Sequence, residues 1–266
     1  MVKVSVIMGV YNCKDYSLLN ESIDSILNQS FEDFELIICD DGSTNGTLKV
    51  LTNIKQKDSR IKIISYRQNK GLNYALNKCL AEAQGVYIAR QDDDDISKLD
   101  RLEKEVKFLD KHIEYAMVGT LAEVFDDSGV WGKYDNPENP TRNDFYWNSP
   151  FIHPTIMVRK SAYDAVGGYR EAKETRRCED LDLFMRMYAT GLKGYNIQER
   201  LYLYRMVNDP KIKYRPMKYR VDEAIVKFKG YKAMGNLICG LPYVLKPILV
   251  GMIPQNLLYR IKKTRY

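Results

Sequence analysis

Val86-Tyr87-Ile88-Ala89-Arg90-Gln91-Asp92-Asp93-Asp94-Asp95 is the stretch on which the reading of this chain turns: a short apolar run that breaks off into four consecutive aspartates. A run of this length, rich in β-formers and bounded by polar residues, reads as a buried strand over residues 86–89. Carboxylates crowded together repel one another unless a cation sits among them, and at a strand end that cation is usually a divalent metal. A metal there points to phosphate chemistry. The plainer reading, a solvated acidic turn, is the ordinary fate of a charge run, so the surrounding sequence has to decide.

Toward the N-terminus the pattern repeats. Residues 3–8 read as a strand, and 18–29 as a helix with Leu19, Ile23, Ile26 and Leu27 on one face. Residues 34–40 are strand, 47–57 helix, 61–65 strand and 72–83 helix. This βαβ order predicts an α/β fold with a doubly wound, mostly parallel sheet, in which ligands bind at the carboxyl ends of the strands. Polar residues stand at those ends: Tyr11 and Asn12, then Asp40 and Asp41, then Asn69 to Gly71, then the aspartates. Four strand ends are expected to converge on one pocket.

Past Asp100 the pattern predicts a helix over 101–111 and a strand over 116–120, with 121–125 continuing the sheet. Residues 135–150 are polar and rich in Pro and Asn, which reads as a long loop around a short helix and a candidate substrate cover. The sheet resumes at 155–158. Residues 179–190 carry Leu181, Phe184, Met185 and Tyr188 at helical spacing, with acids in the first turn, where the helix dipole favours them. Residues 214–234 form a basic helical stretch, and 237–261 are apolar but interrupted by Pro242, Lys246, Pro247 and Pro254. A membrane-spanning helix needs about 20 nearly unbroken apolar residues, so this segment is expected to lie on a membrane surface instead. Lys227, Lys229 and Lys232 before it and Arg260, Lys262, Lys263 and Arg265 after it would attract anionic lipid. The rival is a helix pair packed on the domain with its lysines in solvent.

The chain has 266 residues, 45% hydrophobic, with a formal net charge of +6. That is enough to bury a full core. Its five cysteines are odd in number, widely spaced and lack any C-x-x-C pair, which argues against a disulfide framework and a structural zinc. With an N-terminus that runs straight into a strand-like pattern, a cytoplasmic location is expected. An EF-hand calcium loop is disfavoured, since its glycine and distal glutamate are missing. Basic residues concentrate beside apolar segments and no recognition motif appears, so nucleic acid is not an expected partner.

Alternation in an extended segment predicts that Asp92 and Asp94 point one way and Asp93 and Asp95 the other. Magnesium or manganese, held by one or two carboxylates and substrate phosphates, suits such a site. After the second strand a single capping residue suffices for the next helix, so the pair Asp40-Asp41 exceeds that need, and one of them is a candidate acceptor for a base N–H. Tyr11 offers a face for base stacking, worth ~1–3 kcal/mol.

Together these residues resemble an ordered signature. Val4 to Asn12, Asp40-Asp41-Gly42-Ser43-Thr44, Asn69-Lys70-Gly71-Leu72, Arg90 to Ser97 with Arg101-Leu102, and Glu179-Asp180-Leu181-Asp182-Leu183 are similar to the motif set of family 2 glycosyltransferases. The resemblance spans roughly residues 2–204. It implies a GT-A fold, a nucleotide-diphosphate-sugar donor, a divalent metal (Mn2+ or Mg2+) and inversion at the anomeric carbon. By resemblance the catalytic domain is 1–205, with a nucleotide-sugar half to about 100, and 206–266 is a basic, apolar helical tail. Tyr11 and Asp41 would contact the base, Asp92 and Asp93 would lie by the donor, Asp94 would bind the metal with Asp92 as the competing ligand, and Asp180 would be the general base. His153, Arg177 and Glu179 are further candidates for acceptor or phosphate contacts. Gly9, Leu99 and Asp93 depart from the usual pattern, and Asp93 adds a carboxylate that competes for the cation.

Inverting transfer needs an acceptor hydroxyl deprotonated on one face of the sugar while a nucleoside diphosphate leaves from the other, so base and metal must stand apart. Asp94 and Asp180 belong to separate elements. At a helix head Asp180 would have a lowered pKa, so burial or Glu179 has to raise it. The expected reaction moves a sugar, from a UDP-sugar, to a hydroxyl of a lipid-linked glycan at the inner face of a membrane, in capsule or exopolysaccharide assembly. Two rivals stand beside it: a nucleotidyltransferase, which would carry a glycine-rich phosphate loop where Val10-Tyr11-Asn12-Cys13 stands, and a catalytically silent glycan-binding subunit, which would not require the full acidic set.

Overall fold

Strand β1 (Val4–Val10) is apolar and buried along nearly its whole length, as a central strand must be. In the computed structural model, which describes residues 2–207 and 215–253, it runs parallel to β2 (Phe34–Asp40) on one side and to β4 (Tyr87–Arg90) on the other. β3 (Ile61–Ser65) extends the β2 edge, also parallel. Alternation sends the β1 side chains to two faces. Val4, Val6, Met8 and Val10 pack with Leu19, Ile23 and Ile26 of α1 (Tyr16–Leu27), and Ile7 packs with Ala75, Leu76 and Cys79 of α3 (Leu72–Glu82). Helix α2 (Thr47–Lys55) links β2 to β3. The chain leaves β1 for β2 and β3, and α3 then returns it to the other edge of β1. The carboxyl ends of β1 and β4 therefore flank a reversal in strand order, where sheets of this kind bind ligands.

The full order is β3-β2-β1-β4-β8-β6-β9-β5, with β7 paired to β6. Here β5 is Ile96–Ser97, β6 Met117–Asp126, β7 Gly129–Tyr134, β8 Met157–Arg159 and β9 Gly194–Arg205. β1 with its neighbours, β2–β3 and β6–β9 pair parallel; β8, β5 and β7 join antiparallel. The two pieces expected at 116–125 are one strand, with register shifts around Leu121. Helix α4 (Arg101–Lys111) precedes β6, α5 (Lys160–Val166) follows β8, and α6 (Glu179–Ala189) precedes β9. All five cysteines are free.

The C-terminal stretch forms α7 (Met217–Met234) and α8 (Leu237–Met252), separated by Gly235, whose left-handed φ of 76° stops α7 and turns the chain back. The inner face of α7, through Val226, Tyr231 and Met234, joins the same core as Phe184 and Met185 of α6. A Cβ on Gly230 would stand 2.2 Å from Met185 Sδ, which shows how close α7 lies to α6. The packed-pair expectation therefore describes the inner faces. The outer face of α8 is apolar and exposed. Residues 208–214 and 254–266 of the expected tail lie outside the described residues.

Candidate active site

One buried amide shapes the acidic segment. Gln91 Nε2 donates to the Asp95 carbonyl (2.9 Å) and to Ser22 Oγ (3.0 Å), and its Oε1 accepts from Ser97 Oγ (2.7 Å). This draws 91–97 around the side chain and puts Asp93 and Asp94 in a turn. The extended alternation expected there is lost. Instead the carboxylates part three ways. Asp92 lines a cleft and pairs with the guanidinium of Arg90, which is buried. Asp93 and Asp94 stand close enough to Cys13 in the β1–α1 loop for their charges to raise its thiol pKa, after burial, the main cause. Asp95 is 1% exposed: Oδ1 accepts from the Arg205 N–H (2.6 Å), and the Tyr202 hydroxyl also interacts with the carboxylate.

Burial, then the charges of Asp94 and Asp92, push the Asp93 carboxyl up to about 7. Asp94 is raised by loss of hydration and then by Asp92, and Asp95 is raised well above the usual range by burial and then by both neighbours. Crowded negative charge on Asp92, Asp93 and Asp94 fits a divalent cation. Among the described residues no three His, Cys, Asp or Glu side chains converge as a cage.

The loops after β1 and β2 are tied together. Asn12, at a left-handed φ of 46°, donates its N–H to Ser43 Oγ (2.8 Å) and accepts from the Thr44 N–H (2.8 Å). Beside it Tyr11 is 48% exposed. Asp41 is buried and spends both oxygens within the protein: Oδ1 on Tyr66 OH (2.7 Å) and the Lys70 N–H (2.8 Å), Oδ2 on Asn69 Nδ2 (2.8 Å) and the Gly71 N–H (2.8 Å). These four donors fill its acceptor sites. Through them Asp41, expected beside the base, fastens residues 66–71. Asp40 keeps one buried oxygen, Oδ1, without a partner among the described residues.

A cleft of about 220 Å³ brings together Arg90, Asp92, His153, Glu179 and Asp180, with Tyr134 of β7 and Tyr204 of β9 on its wall. At the head of α6 two effects oppose each other on Asp180, and burial, the larger, outweighs the N–H groups of Leu181 and Asp180 itself, so the carboxyl is raised. Glu179 is pushed up to about 7 by burial and then by Asp180. Burial and the charge of Arg90 keep His153 neutral, with Nε2 2.9 Å from Tyr169 OH. Asp182 faces away, paired with Arg186 (2.7 Å) and Arg170 (3.2 Å). Arg177, at a left-handed φ of 61°, lies over the Tyr219 ring of α7 at 5.3 Å. It does not line the cleft, and neither do Tyr11, Asp41, Asp93 or Asp94. A larger hollow of about 490 Å³ beside Tyr115, Arg142 and Tyr188 holds none of these carboxylates.

Sequence reasoning missed Arg90, Asp95, Tyr134 and Tyr204. Arg90 had a signal, a cation inside an apolar strand next to an acidic run. The tyrosines had none, since they stand on β7 and β9, which were not anticipated.

The family profile described as "Glycosyl transferase family 2" matches residues 5–167. EpsE of Bacillus subtilis (strain 168), named as a glycosyltransferase, is 45% identical over 99% of this chain and 94% of its own length. An Escherichia coli protein, named as UDP-Gal:alpha-D-GlcNAc-diphosphoundecaprenol beta-1,3-galactosyltransferase, is 28% identical over 87% of this chain and 84% of its own. The crystal structure of S. aureus TarS 1-349 in complex with UDP-GlcNAc superimposes with a TM-score of 0.71 at 19% identity, over 94% of this chain and 72% of that one. This likeness shows the GT-A fold.

Proposed function

We propose, from the premise that this chain belongs to glycosyltransferase family 2, that it moves one sugar from a UDP-sugar to a hydroxyl of a lipid-linked glycan, with inversion, in bacterial cell-surface polysaccharide synthesis. One observation carries the reading: carboxylates from two separate elements meet at one cleft, Asp92 after β4 and Glu179-Asp180 at the head of α6. The donor chemistry is supported by TarS, whose complex holds UDP-GlcNAc, and by the E. coli relative, named for UDP-Gal and a diphosphoundecaprenol acceptor.

Asp180 takes the proton of the acceptor hydroxyl. The freed oxygen forms the new bond at the anomeric carbon, the bond to the donor phosphate breaks, and its electron pair leaves with UDP. A base raised above the usual aspartate range holds that proton better than an ordinary carboxylate does. Tyr11 stacks on the base, while Asp41 holds Asn69 to Gly71 against it. Mn2+ or Mg2+, held by Asp94 and the donor phosphates, would neutralise charge on the leaving diphosphate. Asp92, the competing ligand, is engaged by Arg90, which favours Asp94. Asp93 adds its charge beside the donor. His153 and Glu179 face the acceptor, and Arg177, outside the cleft, meets the phosphate of the lipid carrier. Among the described residues no helix is long and apolar enough to cross a membrane; the α7–α8 hairpin brings the enzyme to the inner face of the cell membrane.

A panel of UDP-sugars tests this. Manganese-dependent release of UDP from one of them, abolished by EDTA, is the expected result. Release of pyrophosphate would instead identify a nucleotidyltransferase, and no metal-dependent donor turnover would identify a silent binding subunit.

A further inference from the structure

Five residues of α8, Ile238, Leu241, Leu245, Leu249 and Met252, are exposed, Ile238 by 86% and Met252 by 70%. At 100° per residue they fall within an arc of about 80°, opposite the buried Gly240, Val244 and Pro247. No charge interrupts this stripe. A cation stands beside it: Lys246 donates to the Trp147 carbonyl (3.1 Å) while lying 4.2 Å from the Trp147 ring. Trp147 is itself 56% exposed and packs edge-on against Tyr243 of α8 at 5.3 Å.

We infer that the outer face of α8, together with Trp147, docks on an anionic bilayer and sets the acceptor side of the cleft at the lipid headgroups. The inference rests on the membrane-linked reading above and adds the surface and its connection to the site. An apolar stripe with a cation beside it and an aromatic edge matches a helix lying in the plane of a membrane, its side chains among the acyl chains and its cation among the phosphates. A second copy of the chain is a poorer occupant, since a two-fold contact sets like surfaces together and would bring the cation of one copy toward that of the other.

Trp147 links this surface to the site. The buried Lys227 of α7 donates to the carbonyls of Tyr146 (3.3 Å) and Trp147 (3.2 Å), and Tyr231 OH donates to the Phe145 carbonyl (3.0 Å). Ser149 and Phe151, two and four residues further on, line the cleft that holds Asp180. Docking surface and acceptor wall are thus two ends of one short segment, fastened to α7 and α8. A sugar chain on a lipid carrier would rise from the headgroups directly beside that wall.

The full-length protein and its Leu241→Glu/Leu245→Glu variant are compared by sedimentation with vesicles of phosphatidylcholine alone or mixed with phosphatidylglycerol. Donor hydrolysis serves as the control for folding. The wild type is expected to bind the anionic vesicles and to release UDP; the variant should bind them at least ~tenfold more weakly with donor hydrolysis unchanged. Trp147→Ala should weaken binding as well, without altering the melting temperature. Equal vesicle binding by wild type and the double variant overturns the inference, as does a wild type that ignores anionic vesicles but forms a dimer that the variant dissolves. Vesicle binding through this face with no transfer to any lipid-linked acceptor leaves the docking surface standing and removes the acceptor reading instead.

Discussion

Asp92 and Asp94 divide the work that a run of four carboxylates leaves ambiguous. Arg90, buried beneath the cleft, occupies Asp92, while Asp94 is raised by its surroundings and opens to solvent. Asp94→Asn is therefore expected to raise the manganese concentration at half-maximal activity by more than about tenfold, and Asp92→Asn by less. The reverse order would reassign the ligand. Glu179 makes a separate prediction. Its pKa, ordinarily near 4.5, stands at about 7 in the fold, so between those values the native state binds more protons than the unfolded one and stability falls as pH rises. The cost is complete above pH ~7 and absent below pH ~4.5. Glu179→Gln should accordingly stabilise the protein at pH 8, by on the order of 2 kcal/mol, and leave it unchanged at pH 4. Thermal melts at the two pH values check this, and an equal shift at both would refute it.

Helices and strands of the first half were legible because each carries one uninterrupted period. The β2 and β3 bounds match the expected residues, and α1 and α3 differ by a residue or two at their ends. In the second half α4, β6, α6 and α7 were legible as well, but β5, β7 and β9 were not. β5 is two residues long, β7 is mostly exposed, and β9 carries the polar run Gln198-Glu199-Arg200 at its middle in a burial pattern without alternation. Their partners lie far along the chain, so pairing rather than local preference makes them strands. The turn at Asp93-Asp94 was hidden for a similar reason, because it depends on Gln91 reaching Ser22 across 69 residues. At the C-terminus the composition showed an amphipathic pair but not which face would pack. Gly240 tests that packing: a Cβ there would stand 2.4 Å from Tyr231 Cδ2 and 2.7 Å from Cγ, a rigid ring held in the core. Gly240→Ala should lower stability by about 1–2 kcal/mol, overpacking outweighing the better helix propensity of alanine. An unchanged or raised melting temperature would contradict the close approach of α8 to α7.

Across the whole molecule the arrangement separates charge by function. Carboxylates gather at the reversal in strand order between β1 and β4, a second pair heads α6, and Arg215, just before α7, backs that pair, reaching Cys178 Sγ (3.1 Å) and the Arg177 carbonyl (3.2 Å), its charge opposing the rise in the pKa of Asp180. Asp92 was legible as following a strand end, and Glu179 and Asp180 as heading a helix. Their contacts were not, since Asp41's four donors and Arg90's hold on Asp92 are tertiary facts. The central claim is that Asp180 is the base on the acceptor side and takes no part in holding the donor. It is tested by measuring UDP-sugar binding and sugar transfer side by side in Asp180→Asn. Donor affinity within about twofold of wild type, with transfer reduced a hundredfold or more, is the predicted result; transfer at the wild-type rate would contradict the account.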